Sequence, residues 1–567
     1  MIVGIDLGTT NSAVAIWRNG AAQLVPNSLG HVLTPSAVSV DEDGRMLVGL
    51  PARERLATHP TRTATAFKRY MGAKRETLLG ETLFLPEELS ALVLGALKRD
   101  AEVFLGEPVA EAVITVPAYF NDKQRKATRR AGELAGLKVG RLVNEPTAAA
   151  LAHGLAELAG ETSFMVFDLG GGTFDVSVLE IFDGVIEVRA STGDNRLGGE
   201  DFNELIIETM RPQLPPTWKA ESQPGSALHA RMRVAAERAR RTLSERSPAS
   251  FQLVWNDAAF EAEITSEAFE AAAEPLVARL REPVLRALRD GRVRADDLAQ
   301  VVMVGGATRM PLVRRAVTRM FGRFPATGIN PDEAVALGAA VQAGLKARDA
   351  ALKEVVLTDV CPYSLGVNTA VKLDGGAVRH GVFAPIIERN TVTPASRAHV
   401  FTTLADNQDR VAFNIYQGES RLAEDNILLG RTEVPVPRAP AGAVAVECRF
   451  TYDINGLLEV DLRVPQTGET RQLVILDEEG LSEADLAARR SALAGLKQHP
   501  RDADANRAAL ARVGRCYEAQ LGETRAYVAQ LATAFEAVLE GQDPRAIEQA
   551  RERLHKALDG LEGETWL

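Results

Sequence analysis

The pattern of apolar and polar positions divides the chain into regions of different character. Across residues 1–350, apolar runs such as "EAVITVPAYF" and "QVVMVGGATR" alternate with stretches of helical periodicity such as "NDKQRKATRRAGELAGL". This alternation is typical of a layered α/β domain, in which strands and helices bury their apolar faces against one another. The first 350 residues are therefore predicted to form such a domain.

The rest of the chain follows two other patterns. Residues 362–480 contain short β-rich runs such as "HVFTTLAD", "RVAFNIYQGE" and "RQLVIL", separated by Gly, Asn, Asp and Pro. No long helical periodicity intervenes, which predicts an antiparallel β domain. Over residues 481–567, Ala, Leu, Arg and Glu recur at helical spacing, and Ser482 with Asp485 fits a capping box. Pro500 and "GQDP" predict a division of this helical subdomain into about three helices.

Composition narrows the classes of partner. A net charge of −11 leaves no basic excess to neutralise phosphates, which argues against nucleic acid and anionic membranes as partners. No apolar run approaches the ~18–20 residues that span a bilayer, and strand-like sequence begins at residue 2 without a basic leader. We therefore expect a cytoplasmic protein. Cys361, Cys448 and Cys516 have no Cys-x-x-Cys spacing, so we expect them to be buried thiols.

One sequence motif occurs twice. "GIDLGTTNS" and "FDLGGGTFD" each end an apolar run with Asp-Leu-Gly and continue with Gly and Thr. Bound ATP and Mg²⁺ need backbone N–H groups at close range, hydroxyls for phosphate oxygens, and acids for a hydrated cation. A single copy would fit an ordinary strand-ending turn equally well. Two copies favour two related lobes whose turns hold one nucleotide, and neither copy is a P-loop.

Two further segments fit the base and sugar of a nucleotide. "VMVGGATRMP" follows another apolar strand, so that Gly305 and Gly306 can approach a flat adenine while Arg309 lies against it. The segment "AAERARRTLS" places four polar side chains on one helical face. Alone, such a face is more often solvated helix surface, but beside the glycine turns it suits hydrogen bonding to ribose and base.

Together these motifs give the chain a clear resemblance: it is similar to DnaK-type chaperones of the seventy-kilodalton heat-shock (Hsp70) family. The matching segments are "GIDLGTTNS", "VITVPAYFND", "NEPTAAAL", "FDLGGGTFD", "LGGEDF", "VGGATRMP", "NPDEAVALGAAVQA", "DNQ" and "QGE". The segment "DVCPYSLGV" and the short helical tail make it most similar to the HscC branch. The resemblance implies an ATP-dependent chaperone that binds extended apolar segments of unfolded proteins.

The resemblance also implies a domain organisation. Residues 1–350 would form an actin-like (ribonuclease-H-like, duplicated) nucleotide-binding domain, and residues 351–361 a hydrophobic interdomain linker. Residues 362–480 would form a β-sandwich for peptide binding, and residues 481–567 a helical lid.

The nucleotide site can be carried over residue by residue from the resemblance. Catalysis would involve Lys68 beside the γ-phosphate and attacking water, together with Glu145, Thr173, Asp168 and Asp6. Mg²⁺ and K⁺ would be ordered by Asp6, Asp168 and Asp175. ATP or ADP would be contacted by Gly8, Thr9, Thr10, Asn11, Gly170, Gly171, Gly172, Gly198, Gly199, Glu237, Arg240, Arg241, Ser244, Gly305, Gly306, Arg309 and Asp332. Arg240 stands where the family usually has Lys, and Ala307 where a polar residue is common.

The segment "EVVLTDVCP" would connect the two halves. Its apolar residues Val355, Val356 and Leu357, beside Asp359, suggest a strand that docks in one state and is released in another. A plain last strand of the first domain is the alternative. By resemblance, Pro117 and Arg125 would relay the signal inside the ATPase. Positions Arg141, Asn144 and Asp359 would meet a J-domain co-chaperone.

Client binding would take place in the β domain. The residues that correspond to the peptide pocket and its arch are Val367, Ala370, Phe401, Leu404, Val411 and Phe413. Without the resemblance, these residues would be interpreted as ordinary core residues of a β-sandwich. The loop in "VKLDGGAVRHGVF" is longer than usual, and the segment 251–269 is shortened where exchange factors usually bind. Whether a nucleotide exchange factor acts is thus left open.

Other functional classes fit less well. A sugar or acetate kinase with the same duplicated ATP fold would not need residues 362–480, and an actin-like filament protein would end near residue 350. A third alternative fits the sequence better than these two: an exchange-factor relative of the family that binds ATP without a hydrolysis cycle. The presence of Lys68, Glu145 and Thr173 favours hydrolysis.

Overall fold

The computed structural model describes residues 1–153, 162–182, 185–256, 258–326, 328–349, 352, 356–372, 378–453, 456–475 and 499–563. It has mixed α/β content with several separate sheets. Within these residues, no helix combines the length and the apolar character needed to cross a membrane.

The first lobe is built on a sheet with the strand order β11-β10-β1-β2-β3. Its strands are β1 (Ile2–Asp6), β2 (Asn11–Arg18), β3 (Ala21–Leu24), β4 (Thr34–Pro35), β5 (Ala37–Val40), β6 (Met46–Val48), β7 (Thr63–Thr65), β8 (Thr77–Leu79), β9 (Thr82–Phe84), β10 (Glu111–Val116) and β11 (Lys138–Asn144). Its helices are α1 (Leu50–Glu54), α2 (Pro86–Leu105), α3 (Asp122–Leu134) and α4 (Glu145–Ala152). The Asn121 side chain caps α3 by accepting a hydrogen bond from the backbone N–H of Gln124. The Gln124 side chain in turn accepts one from the backbone N–H of Asn121, which completes a capping box.

The second lobe is built on a sheet with the order β17-β12-β13-β14. Its strands are β12 (Thr162–Leu169), β13 (Phe174–Phe182), β14 (Val185–Asp194), β15 (Ala249–Trp255), β16 (Ala258–Ile264) and β17 (Gln300–Val304). Its helices are α5 (Gly199–Met210), α6 (Pro216–Glu221), α7 (Ala227–Leu243), α8 (Ser266–Gly291) and α9 (Pro311–Phe321), after which α10 (Ala334–Lys346) returns to pack on β1.

The two central sheets repeat one arrangement. Strand β1 pairs antiparallel with β2 and parallel with β10, and β12 pairs antiparallel with β13 and parallel with β17. Residues 164–169 of β12 are buried on both faces, as expected for a strand covered by helices on both sides. The turns between β1 and β2 and between β12 and β13 therefore occupy equivalent places in the two lobes.

A strand connects the halves of the molecule. Strand β18 (Val356–Val360) pairs parallel with β14 of the second lobe, with Val356 opposite Val185 and Leu357 opposite Ile186. Its other end pairs with β21 (Val392–Thr393) of the following domain. The linker segment thus closes the second lobe's sheet, while Val355 lies outside the described residues.

The β domain consists of two four-stranded antiparallel sheets, ordered β20-β19-β23-β24 and β22-β25-β26-β27. Besides β21, its strands are β19 (Leu365–Lys372), β20 (Val378–Ile387), β22 (Ala395–Thr402), β23 (Arg410–Gln417), β24 (Ile427–Pro435), β25 (Ala445–Tyr452), β26 (Leu458–Arg463) and β27 (Thr470–Ile475). Residues such as Phe413 and Phe450 fill the space between the sheets. The three cysteines of the chain are free and buried.

The last helices form a small unit with its own core. Helices α11 (Asp504–Ala519), α12 (Gly522–Glu540) and α13 (Pro544–Gly563) pack through residues such as Val513, Phe535 and Leu554. The sequence pattern missed the break at Gly522, and the capping box of Ser482 and Asp485 lies outside the described residues.

The segment between α12 and α13 touches both other parts of the molecule. The Gln542 side chain bonds the backbone N–H and C=O of Ala398 on β22, at 3.4 and 3.3 Å. The Arg545 guanidinium lies 2.6 Å from a Glu187 oxygen on β14 and 3.3 Å from a Glu180 oxygen on β13. Glu187 is directly opposite Thr358 of the linker strand. The helical unit is therefore seated beside the docked linker.

Candidate functional site

A cavity of about 370 Å³ lies between the two lobes. Nearly all the residues predicted to contact nucleotide line it: Asp6, Gly8, Thr9, Thr10, Asn11, Lys68, Glu145, Asp168, Gly170, Gly171, Thr173, Gly199, Glu237, Arg240, Arg241, Ser244, Gly305, Gly306, Arg309 and Asp332. Gly172, Gly198 and Asp175 are not among its lining residues, although each adjoins one that is.

The two glycine turns meet across this cavity. A Cβ atom on Gly171 would lie 1.9 Å from the Thr10 hydroxyl oxygen, and one on Gly198 would lie 2.5 Å from the Gly172 nitrogen. No larger residue fits such spacing, so backbone N–H groups of both lobes stay accessible to phosphate oxygens. Arg69 of the first lobe pairs with Asp201 of the second at 3.2 Å and ties the lobes together at this end.

A buried ion pair occupies the floor of the cavity. The Lys68 ammonium donates to Glu145 Oε1 at 2.8 Å, and Lys68 is only 2% exposed. Burial alone would lower the pKa of Lys68, but Glu145 and Asp6 together raise it above its ordinary value. Lys68 therefore stays charged at neutral pH. Its fixed cation is shielded from water, where it acts most strongly on a developing negative charge.

Three carboxyl groups surround this pair. Burial, together with the charge of Glu145, raises the pKa of Asp6 and of Asp175 to about 7. The same causes raise the pKa of Asp168 well above its ordinary value. Asp168 and Asp175 are direct partners across β12 and β13, so their charges are held close together. Carboxylates that are this costly to ionise fit a site that receives a cation.

The residues present fit Mg²⁺ in its hydrated form. Among the described residues, no cluster of three or more His, Cys, Asp or Glu side chains could hold a bare metal ion. Mg²⁺ commonly keeps several waters and reaches proteins through one or two carboxylates and the phosphates of its nucleotide. Oxygen donors at Asp6, Asp168 and Asp175 suit that mode.

The opposite end of the cavity is bordered by paired charges. Arg309 donates to Asp332 at 2.8 Å, and a Cβ atom on Gly306 would lie 2.6 Å from the same carboxylate. Glu237 and Arg241 form an i,i+4 pair at 2.6 Å on α7. A planar base could lie against this wall.

Sequence reasoning missed several residues that line the cavity. These are Leu33, Glu200, Glu245, Val304, Met310, Pro331 and Val335. Glu200 lies inside the segment "LGGEDF" and could have been found there. Val304, Met310, Pro331 and Val335 also lie inside recognised motifs, "VMVGGATRMP" and "NPDEAVALGAAVQA", but their apolar side chains carry no chemical signal. Leu33 and Glu245 lie outside the motifs.

At the base of the linker strand, Arg125 of the predicted relay lies among the residues predicted to meet a J-domain co-chaperone. The Asn144 amide donates to Asp359 at 2.5 Å and accepts from the Arg125 guanidinium at 2.7 Å. Burial lowers the pKa of Arg141, and Asp359 opposes that effect. Pro117 begins the turn in which its carbonyl accepts from Phe120, whose own carbonyl accepts from Arg125. Asn144 directly precedes Glu145, so the junction adjoins the Lys68 ion pair.

The β domain makes further contacts with both lobes. Tyr363 donates to the carbonyl of Tyr119 at 3.1 Å, with the two ring centroids 4.5 Å apart. Arg389 pairs with Asp290 of the second lobe at 3.0 Å. The Gln417 side chain accepts from the backbone N–H of Asp122 at 3.0 Å. These contacts hold the β domain against the two lobes.

The predicted client residues lie in both sheets of the β domain and differ in exposure: β19 and its partner β23 carry four of them, β22 of the other sheet carries Phe401, and Leu404 follows β22. Val367 and Phe413 are fully buried, Ala370, Phe401 and Val411 are partly exposed, and Leu404 is 48% exposed. The rings of Phe401 and Phe413 pack edge to face with centroids 5.6 Å apart. The helical unit borders the other face of β22, where Ala398 and Val400 line a cavity with Glu540 and Gln542.

Comparison with known proteins gives two sequence matches that cover most of the chain. The family model described as "Hsp70 protein" matches residues 2–79 and 74–566. The chain is 42% identical over 495 residues to a protein named "Chaperone protein DnaK" from Thermosipho africanus. The aligned region covers 86% of this chain and 81% of that protein.

Proposed function

This chain belongs to the Hsp70 family, whose members are ATPases that bind unfolded proteins in an ATP-driven cycle, and we propose that the cavity between its lobes is the nucleotide site of that cycle. The observation that carries the proposal is the meeting of two glycine turns, a buried Lys68–Glu145 pair and three acids in one cleft. In this proposal an extended segment of an unfolded client protein binds in the β domain.

The chemistry we propose is hydrolysis of ATP to ADP and phosphate. The turns at Thr9–Thr10 and Gly170–Thr173 would hold the phosphates with backbone N–H groups and hydroxyls. Lys68 would stabilise the charge that develops on the γ-phosphate, and Glu145 would fix the ammonium and orient the attacking water. Asp6, Asp168 and Asp175 would hold hydrated Mg²⁺ and K⁺, whose positive charge offsets that of the phosphates.

The finer assignments belong to the same proposal. Arg240, Arg241, Glu237 and Ser244 would receive the sugar and base, with Gly306 and Arg309 on the other side. The segment "DVCPYSLGV" supports placement in the HscC branch. Two halves with one duplicated sheet pattern support the actin-like description of the ATPase domain.

Further partners are proposed from the junction. A J-domain co-chaperone would approach Arg141, Asn144 and Asp359, and whether an exchange factor acts on the second lobe is left to experiment. The terminal helices would serve as a lid once the β domain leaves the lobes. We also propose a cytoplasmic location, which the three free, buried cysteines support.

ATP turnover by the purified chain, with and without an unfolded peptide, tests the proposal. A chaperone should hydrolyse ATP slowly and respond to peptide. Tight ATP binding without turnover in either condition would instead favour a relative that binds ATP without cycling.

Replacing Val411 with Phe is expected to weaken peptide binding and leave basal ATP hydrolysis unchanged. Val411 is partly exposed on β23 beside the packed rings of Phe401 and Phe413, so the larger side chain would occupy the space proposed for a client residue. Overpacking a fitted apolar site costs about 1–3 kcal/mol, roughly a 5- to 150-fold rise in Kd. Fluorescence anisotropy with a labelled unfolded peptide measures it.

Val254→Phe is the matched control, because Val254 is 61% exposed on the second lobe, outside the β domain. Equal peptide affinity in the Val411 variant and the parent chain would remove Val411 from the proposed pocket.

A further inference from the structure

Arg240 is fixed in the cavity by a residue outside the cavity wall. Its Nε atom donates to Asn203 Oδ1 on α5 at 2.8 Å, and Asn203 is only 2% exposed. With Nε occupied, the two Nη groups of the guanidinium remain as donors. The next cation on α7, Arg241, is paired within its own helix to Glu237 and is more than half exposed. Only Arg240 of this pair is anchored to another helix.

The guanidinium lies between the phosphate end and the base end of the cavity. A Cβ atom on Gly199 would lie 3.5 Å from Arg240 Nη2 and equally far from the Cβ of Ala307. Gly199 adjoins the phosphate turn through its bond to the Gly170 carbonyl, whereas Ala307 adjoins Gly306 at the base end. In the proposed site this intermediate position would face the sugar of a bound nucleotide, since the sugar lies between the phosphates and the base.

Asn203 is held in one orientation. Its amide nitrogen faces Glu200 Oε2 at 3.5 Å, and Glu200 accepts from Arg233 at 2.8 Å. A carboxamide supplies one acceptor for Arg240 and one donor for Glu200, whereas aspartate would place two carboxylates side by side. The identity of residue 203 thus determines how the Arg240 guanidinium is aimed.

We propose that Asn203 is a positioning residue that aims Arg240 at the sugar hydroxyls of the bound nucleotide and thereby selects ribonucleotides over deoxynucleotides. The inference rests on the proposed nucleotide site. A long, mobile arginine would lose rotamer freedom on binding a ligand, and prior fixation by Asn203 removes that loss. Selectivity arises because a nucleotide that lacks the hydroxyl leaves a partly buried, charged donor without its partner.

The test compares ATP, 2′-deoxy-ATP and 3′-deoxy-ATP as ligands of the full chain by calorimetry. The parent chain is expected to bind at least one deoxy analogue about 10-fold more weakly than ATP, the loss expected for one hydrogen bond to a charged group. In Asn203→Ala, ATP affinity should fall to that of the analogue, whose own affinity changes less than about 2-fold. A merely structural role would weaken all three ligands together.

Companion variants separate aiming from folding. Arg240→Lys keeps the charge but loses the Nε contact, so it should also lose the selectivity. Asn203→Asp keeps an acceptor for Arg240 and should retain selectivity in part. In the double variant Asn203→Ala with Arg240→Ala, the Asn203 change should add nothing, since it acts through Arg240. Thr209→Ala, on the same helix, controls for a disturbed α5.

The outcomes are distinct. Failure of the parent chain to bind ATP would overturn the proposed function itself. With ATP bound, absence of selectivity in the parent chain, an unchanged ATP-to-deoxy ratio in Asn203→Ala and Arg240→Lys, or additive effects in the double variant would each overturn the positioning role. Equal losses for all three nucleotides would leave that ratio unchanged and would therefore also overturn the positioning role.

Discussion

Replacing Lys68 with alanine is expected to slow single-turnover hydrolysis of ATP by about 10²–10³-fold while ATP still binds. The Lys68 ammonium is the cation nearest to Glu145 and is almost fully buried, so its field on the γ-phosphate is little weakened by water. Binding should persist because the glycine turns and the wall around Arg240 and Arg309 do not depend on Lys68. Rapid mixing with labelled ATP and quench analysis measures the rate.

The substitution removes one partner of a buried ion pair, so stability needs its own control. Leaving Glu145 without a counter-charge can cost about 3–5 kcal/mol of folding free energy. The double variant Lys68→Met with Glu145→Gln removes both charges and should recover much of that loss without recovering the rate. Lys74→Ala, at an exposed loop position in the same lobe, should behave like the parent chain. An unchanged rate in Lys68→Ala would refute the role of Lys68.

The sequence was most informative where chemistry restricts the residue type. The doubled Asp-Leu-Gly motif predicted two turns facing one ligand, and the structure places the Gly171 turn against Thr10 at distances that only glycine allows. The i,i+3,i+4 spacing of Glu237, Arg240 and Arg241 correctly indicated one helix face, because helical periodicity is a local property.

Contacts between distant parts of the chain could not be predicted in this way. Nothing in the sequence around Arg545 indicates that it meets Glu180 and Glu187, since exposed arginines are common on helices. The anchor between Asn203 and Arg240 was likewise missed, because Asn has no periodicity and its partner is set by the packing of α5 on α7. Such pairs depend on tertiary geometry.

In the linker region the sequence pattern predicted the strand but did not predict its pairing partners. Apolar residues beside Asp359 predicted a docking strand, with a plain last strand of the first domain as the alternative. The structure gives β18 both kinds of neighbour, since it pairs with β14 of the second lobe and with β21 of the β domain. A local pattern can predict a strand, but its partners lie far away in sequence.

Asp359 connects the linker strand to the first lobe. Its Oδ2 accepts from Asn144 at 2.5 Å, and its Oδ1 accepts from the backbone N–H of Val360 at 2.8 Å. Burial raises the pKa of Asp359, although the charges of Arg125 and Arg141 oppose that rise. Without the Asp359 carboxylate, these two arginines would lack a counter-charge as long as the linker strand is docked. In the undocked arrangement water would solvate them instead. The substitution should therefore destabilise the docked arrangement and leave the undocked one unaffected.

We therefore expect Asp359→Ala to bind ATP and peptide normally but to lose at least about 10-fold of the ATP-induced acceleration of peptide release. Truncating one partner of a hydrogen-bonded charge cluster costs about 2–5 kcal/mol, a large part of the roughly 5.5 kcal/mol that a near-complete switch requires. Stopped-flow dissociation of a labelled peptide, in ATP and in ADP, measures the acceleration.

Two further variants serve as controls. Asp359→Asn keeps an acceptor for Asn144, so its acceleration should fall between those of Asp359→Ala and the parent chain. Asp43→Ala, in an exposed turn of the first lobe, should match the parent. An acceleration as large in Asp359→Ala as in the parent would mean that the signal crosses through other contacts, of which Arg389–Asp290 and Tyr363–Tyr119 are the nearest candidates.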